Sequence, residues 1–321
     1  MDYDEINERM WEEMEIERDE ERQVAGLVKL LWSGIIVAGV LIAIGIVFML
    51  TACHKDTDTT GMATVKVTFN DFSITTEDFP TKDAVAAYTG VKAMTLAFFD
   101  AQGNAVYNTT QLRADNTSYT TFGEFSTELP MGSYTMVALG YGSEVPITLN
   151  GATEAVYTAD RVRETFVVSQ TVNVTSTNAM TINAAMDRVV STVIVRSTDN
   201  RPSDVDSIRV TFSAGGKGVN PQTGFATTNS GFANTVAPTT AVGAPVSTIN
   251  YLFLNTDQQS MNITVDALKA DGTAVYHKVA NAVPLQRNKV TVLRGQMFTA
   301  GANGGFTVNT SWIGDTNFVD L

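Results

Sequence analysis

One cysteine, two histidines and three tryptophans in 321 residues leave little of the side-chain chemistry that covalent, metal or stacking sites draw on. The lone thiol, Cys53, rules out an internal disulfide and any cysteine cluster with zinc-ligand spacing. A Ser-His-Asp arrangement would have to use His277, beside the strand-like run Ala274-Val275-Tyr276, where a solvent-facing position is expected instead. Gly215-Gly216-Lys217-Gly218 lacks the spacing and the following helix of a phosphate loop and reads as a loop. Asp204 and Asp206 stand next to Pro202 and Ser203, which favours a turn over a pair of glycosidase carboxylates, and no Asp-Gly stretch has EF-hand spacing. Basic residues form no stripe, so a nucleic-acid partner is not expected. No catalytic residue, metal site or cofactor is expected, and the chain reads as a non-enzyme.

Charge is missing altogether from Leu30 to Ala52. A helix of that length crosses a hydrocarbon core of about 30 Å. The run ends in Leu50-Thr51-Ala52-Cys53, which resembles the lipobox at which bacterial lipoproteins are cut and acylated on cysteine. Small residues directly before the only thiol are what that processing needs. The apolar region is nevertheless longer than the roughly 7 to 15 residues usual in a secretory signal, so a retained signal anchor stays open as the second reading. Upstream, the first 22 residues hold eleven acids against Arg9, Arg18 and Arg22. That stretch is either a solvated helix of Glu and Arg pairs or the product of a start codon chosen too far upstream. Arg22 and Lys29 favour leaving this end in the cytoplasm. Four of the 21 basic and eleven of the 34 acidic residues lie within residues 1–52, so the net charge of −13 falls to −6 for the remainder. His54 to Gly61 is short and polar, a tether between lipid and fold, and several acyl chains on Cys53 would hold the protein on its membrane.

From Met62 the composition turns to Thr, Val, Asn, Ala and Gly in short alternating runs. Ala63 to Phe69, Val189 to Val195 in part, and Ile208 to Phe212 carry a period of two, and Gly, Asn, Asp and Pro separate them. Such runs predict half-buried antiparallel strands in a sandwich. Asp83 to Ala87 alone has a helical look. Thr95 to Tyr107 (TLAFFDAQGNAVY) and Thr264 to Tyr276 (TVDALKADGTAVY) resemble each other, each a strand, a polar turn ending in Gly, and a returning Ala-Val-Tyr. Gly103 and Gly272 supply the positive φ that such hairpin loops need. The likeness is either one that any two hairpins share or the trace of two sandwiches of similar plan. The second reading gives an all-β chain of four segments: acidic extension plus signal (1–52), tether (53–61), N-terminal sandwich (62–185) and C-terminal sandwich (186–321).

The segment Val283 to Gly295 (VPLQRNKVTVLRG) resembles the Pro-Leu-x-Arg-Asn-x-x-Thr signature near the end of Bacteroidales fimbrillins, the subunits of type V pili. The polar start after Cys53, the first strand set apart from Val91 to Leu96 by a linker, and Leu129 to Tyr134 followed by Val137-Ala138 are similar to that family in the same order. The resemblance implies two tandem transthyretin-like antiparallel β-sandwiches on an outer-membrane lipoprotein at the cell surface. It also implies other fimbrial subunits as partners and a host or bacterial adhesion target. In polymerising members an arginine-specific protease removes the first strand, and the gap accepts a strand from another subunit. Here Ala63 to Phe69 would be that strand, with Val65, Val67 and Phe69 on the face that fills the groove.

One departure matters. No arginine occurs between Cys53 and Arg113, so the linker from Asn70 to Gly90 offers only Lys82 as a candidate processing site. Either a protease of other specificity acts near Lys82, or the protein keeps its lipid and first strand and serves as an anchor. At the other end, Phe306 to Thr310 alternates and is either a donor segment or a last strand in its own sheet, with Trp312 at its edge. Asn-x-Thr/Ser triplets at Asn108, Asn116, Asn173, Asn262 and Asn309 read as by-products of Asn- and Thr-rich strands. An alternative from another class is a surface glycan- or ligand-binding lipoprotein, whose stacking platform would use Trp312 or tyrosines such as Tyr119, Tyr141 and Tyr157. A membrane-anchored regulator is a third reading, tied to retention of residues 1–52.

Overall fold

The computed structural model describes residues 61–73, 83–84, 88–115, 117–299, 312–313 and 316–320, and among them every regular element is a strand. Ten strands come first: β1 (Met62–Ser73), β2 (Asp83–Ala84), β3 (Ala93–Phe99), β4 (Ala105–Leu112), β5 (Glu124–Pro130), β6 (Gly132–Tyr141), β7 (Thr148–Leu149), β8 (Ala155–Val156), β9 (Thr165–Val174) and β10 (Met180–Arg188). After a crossover at Val189 and Val190 come β11 (Ser191–Asn200), β12 (Ser207–Phe212), β13 (Gly218–Asn220), β14 (Phe225–Ala226), β15 (Phe232–Val236), β16 (Pro245–Leu252), β17 (Gln258–Leu268), β18 (Ala274–Gln286), β19 (Val290–Gly295), β20 (Trp312–Ile313) and β21 (Thr316–Asp320). The expected helical turn at Asp83 to Ala87 is not there at its start, because Asp83 and Ala84 pair with Phe72 and Asp71 of β1.

Two tandem transthyretin-like sandwiches result, as the resemblance implied. In the first, one layer runs β5-β1-β10 and the other β4-β3-β6-β9, with a short β10–β9 pairing at Asp187↔Val167 and Arg188↔Phe166 joining them. In the second, the layers are β16-β11-β19 and β15-β12-β17-β18, and β21 and β20 extend the first of these. The seven main strands match one for one: β1, β3, β4, β5, β6, β9 and β10 take the places of β11, β12, β15, β16, β17, β18 and β19. Pairing is antiparallel except where the first strand of each sandwich lies parallel to the last, β1 with β10 and β11 with β19, and where β21 joins β19. A closed βαβ crossover is not needed for these parallel pairs, since an entire sandwich of chain separates their members.

Patterning explains the layers. Along β1, Ala63, Val65, Val67 and Phe69 point into the core while Thr64 and Lys66 face solvent, the alternation of a strand with one wet face. β3 differs: AMTLAFF is buried at every position, Thr95 included, because both faces are covered. Met94, Leu96 and Phe98 join the first core, and Ala93, Ala97 and Phe99 join a third core between the sandwiches. That third core includes Tyr141, Tyr157, Val189, Val190, Val219 and Phe253 and is roofed by a small sheet, β7-β8-β13-β14, drawn from both halves of the chain. β8 of the first half pairs with β13 of the second at Gly218↔Val156 and Val219↔Ala155. The first two cores, Ala63 to Met186 and Val193 to Phe298, fall to either side of the expected boundary between 62–185 and 186–321 to within a residue, whereas the third core draws on both halves and β10 continues through that boundary to Arg188. Gly103 and Gly272 do sit in hairpin loops at positive φ, 83° and 82°. Their hairpins, however, are β3–β4 and β17–β18, which occupy different places in the shared plan, so the likeness of the two segments marks a common turn chemistry and not equivalent positions.

Candidate functional site

The feature that the first sandwich is built around is the slot holding β1. This strand is central in its layer, antiparallel to β5 from Met62↔Pro130 to Thr68↔Glu124 and parallel to β10 from Val65↔Met180 to Ser73↔Asp187. Val65 and Val67 are fully buried and Phe69 is 3% exposed, so the three residues expected to fill a groove do point together into one core. The strand runs four residues past its expected end at Phe69. Between Phe69↔Ala184 and Asp71↔Ala185 the register slips, because β1 carries one extra residue there, a β-bulge. The bulge turns the alternation over and brings Phe72 inward, where it is fully buried.

Phe72 has its own pocket. Its ring centroid is 4.4 Å from that of Phe166 on β9 and 5.7 Å from that of Tyr88. Beneath it Gly140 of β6 has no side chain, and a Cβ there would lie 3.0 Å from the ring. Among the described residues Phe69 meets one aromatic ring, that of Phe125 on β5, edge to face at 6.0 Å. At about 1.5–3 kcal/mol each, burial of Val65, Val67, Phe69 and Phe72 contributes about 6–12 kcal/mol, as large as the whole stability of an ordinary domain of about 5–15 kcal/mol. The half-exposed Lys66–Glu124 pair at 3.1 Å adds little beside that. An empty slot is therefore not a stable state of this sandwich.

Tyr88 connects the slot to the junction between the sandwiches. Its hydroxyl donates to Glu164 Oε2 at 2.7 Å, and burial with the adjacent carboxylate pushes its pKa well up. Glu164 Oε1 accepts from Arg188 Nη1 at 3.2 Å, and Arg188, the last residue of β10, donates through Nε to Asn288 Oδ1 of the second sandwich. Asn288 stands in the Pro284 to Thr291 segment, in the left-handed region at φ 60°, and its N–H donates to Val190 O across the crossover. Its neighbour Arg287 pairs with Asp257 at 2.7 Å, donates to Thr223 O at 3.1 Å and lies 4.8 Å over the Phe225 ring. Thr291 Oγ1 donates to Pro284 O. The residues of the fimbrillin-like signature thus build the turn that locks one sandwich to the other. A second tie runs from Arg161, which donates to Ile249 O of β16 and whose pKa burial lowers to about 9.

Other expected positions fall elsewhere. Cys53, Leu50, Thr51, Ala52 and Lys82 lie outside the described residues, as does Phe306 to Thr310. Thr316–Asp320 pairs by backbone with β19 of its own sandwich, and Trp312–Ile313 folds back on it. Arg113, the first arginine after Cys53, is built into the fold: Nε donates to Val91 O at 2.8 Å, Nη2 to Tyr88 O at 3.1 Å, and the guanidinium lies 4.0 Å over Phe122. His277 is mostly exposed, as expected, yet its Nδ1 meets Asp266 Oδ1 at 2.6 Å, and Asp266 Oδ2 holds Arg209 at 2.8 Å. The three are cross-strand neighbours on β12, β17 and β18, with Asp266 between the guanidinium and the imidazole. Asp204 and Asp206 lie in the turn between β11 and β12, and no cluster of three metal-ligating side chains occurs among the described residues. Of the tyrosines offered for a sugar platform, Tyr141 and Tyr157 are core residues, and Tyr119 donates to Leu112 O and Arg113 O. Sequence reasoning missed Phe72 and Tyr88. The aromatic at Phe72 was visible, but period two excluded it.

A two-sandwich β protein whose first layer is completed by a strand near its amino end is the class that this geometry defines. The family described as a family of unknown function (DUF6562) matches residues 145–319, and the chain belongs to it. No curated protein matches the chain. Among solved structures it is similar to a candidate adhesin from Bacteroides ovatus, at 11% identity over 72% of this chain and 87% of that one, TM-score 0.46. It is also similar to a candidate polysaccharide-binding protein from Bacteroides thetaiotaomicron, at 17% identity over 68% and 80%, TM-score 0.45. A third is the fimbrial anchor protein Mfa2 from Porphyromonas gingivalis, at 14% identity over 67% and 81%, TM-score 0.41.

Proposed function

We propose that the protein is an outer-membrane lipoprotein, held by lipid on Cys53, that serves as a fimbrial subunit or anchor and joins its neighbours by strand addition, without enzymatic activity. The observation that carries this reading is the β1 slot: a strand near the amino end, hydrogen-bonded on both sides, whose apolar face completes the first core. A strand from another subunit with the same face would satisfy both ladders and refill that core. The lipobox-like Leu50 to Cys53 and the signature Val283 to Gly295 support the same reading. Lack of arginine between Cys53 and Arg113, and the bonding of Arg113 itself within the fold, favour retention of β1 and hence the anchor.

Intact mass and N-terminal sequencing of the protein from native outer membranes test this. A lipidated Cys53 as first residue is expected for an anchor, and a new terminus between 74 and 90 for a polymerised subunit. Recovery of an intact Met1 end from the cytoplasmic membrane would overturn both.

A further inference from the structure

Resting on the strand-addition reading, we infer that the ring pocket over Gly140 is the position by which the slot selects its strand, so that any strand seated there must present an aromatic residue at the place of Phe72. Ala63, Val65 and Val67 are small or aliphatic side chains against a general apolar core, and Phe69 touches one ring. Phe72 differs in being enclosed by rings on two sides and by a backbone without a Cβ below. Gly140 is the specificity-determining residue. With a ring above it the cleft is filled, whereas a shorter side chain leaves a cavity that the flanking β6 and β9 backbones, held in their ladder, do not collapse to close. The pocket also sets length. It lies past the bulge, ten positions along from Ala63 counting both ends, so a strand that stops at the place of Phe69 fills the general core and misses the anchor. The partner is thus a strand parallel to β10, with small and β-branched residues inward first and an aromatic residue last.

The test uses the full chain with a site-specific protease sequence inserted within 74–82, cut after folding so that β1 is retained without a covalent link. Labelled peptides spanning 61–73 are then offered as native sequence, Phe69→Leu and Phe72→Leu, and retention is read by gel filtration. The native peptide is expected to exchange in, Phe72→Leu to be retained about tenfold less, and Phe69→Leu to stay within about threefold. In the Gly140→Ala protein the order should invert, Phe72→Leu being held at least as well as the native peptide. Equal retention of all three on both proteins would overturn the pocket as selector while leaving strand addition standing. Entry of no peptide, the native one included, even when the cut chain is unfolded in urea and refolded in excess peptide, would overturn strand addition and this inference with it. Should Gly140→Ala fail to fold, the peptide series on the unmodified scaffold decides alone.

Discussion

At the scale of single residues, tyrosines carry an unusual share of the interior. Tyr141 and Tyr157 are buried and Tyr88 and Tyr251 half-buried, and burial pushes the phenol of each above its ordinary value of 10.0. A raised folded pKa means that the stabilising protons are all in place below pH 10.0 and are pulled off the unfolded chain above it. Stability should therefore be flat near neutrality and fall as pH rises past about 10, seen as lower denaturant midpoints together with a delayed tyrosinate absorbance. Arg161 acts oppositely, since its lowered value of about 9 lets it shed its charge in the folded state and gain stability over the same range. Arg113 is lowered by burial in the same way and Tyr119 and Tyr134 are raised, so six phenols against two guanidiniums decide the sign. Asn288 offers a sharper probe. Asn288→Gly keeps the left-handed backbone and removes only the contact with Arg188, whereas Asn288→Ala removes both; the second should cost more by about 1 kcal/mol in urea denaturation.

Elements show where the sequence was readable. β1 and β12 could be read because more and less buried residues alternate along them, β11 only in part because Ser191 to Val195 are all buried, and the glycines of two hairpins declared their turns. Phe72 could not, because a single extra residue in β1 shifts the phase and its pairing partner Met186 lies over a hundred positions away in the chain. The fully buried β3 gave no alternation to read, and the β8–β13 pair joins two-residue and three-residue strands too short for any periodic signal. The candidate site was half legible for the same reason: its aliphatic part follows period two and its aromatic end does not. The relay from Phe72 through Tyr88, Glu164 and Arg188 to Asn288 gives a test at this scale. A double-mutant cycle of Tyr88→Phe with Asn288→Gly should show a coupling of about 0.5–1 kcal/mol, because both changes break the same chain of contacts. Additive effects would mean that slot and junction are independent. Within the strand, Val67→Asp should abolish folding of the first sandwich, whereas Lys66→Asp should change the midpoint by no more than about 0.5 kcal/mol, as read by circular dichroism.

For the whole molecule, the third core decides how the parts behave together. Val189, Val190, Val219 and Phe253 meet residues of β3, β6 and β9 in a dry contact, and a sheet shared by both halves closes over it. Sandwiches joined in this way should melt as one. Calorimetry is expected to give a single transition, and Val219→Asp, which places a carboxylate in that core, should split it in two. What also follows concerns tension. In the first sandwich the strand where the chain enters lies parallel to the strand where it leaves, β1 beside β10, and in the second β11, β19 and the later β21 lie side by side in parallel. A pull between those two ends slides the paired strands past each other and stretches all their rungs at once, where an antiparallel pair pulled from its open ends would yield one rung at a time. The chain is connected so that a stretching force on either sandwich meets its ladder in shear.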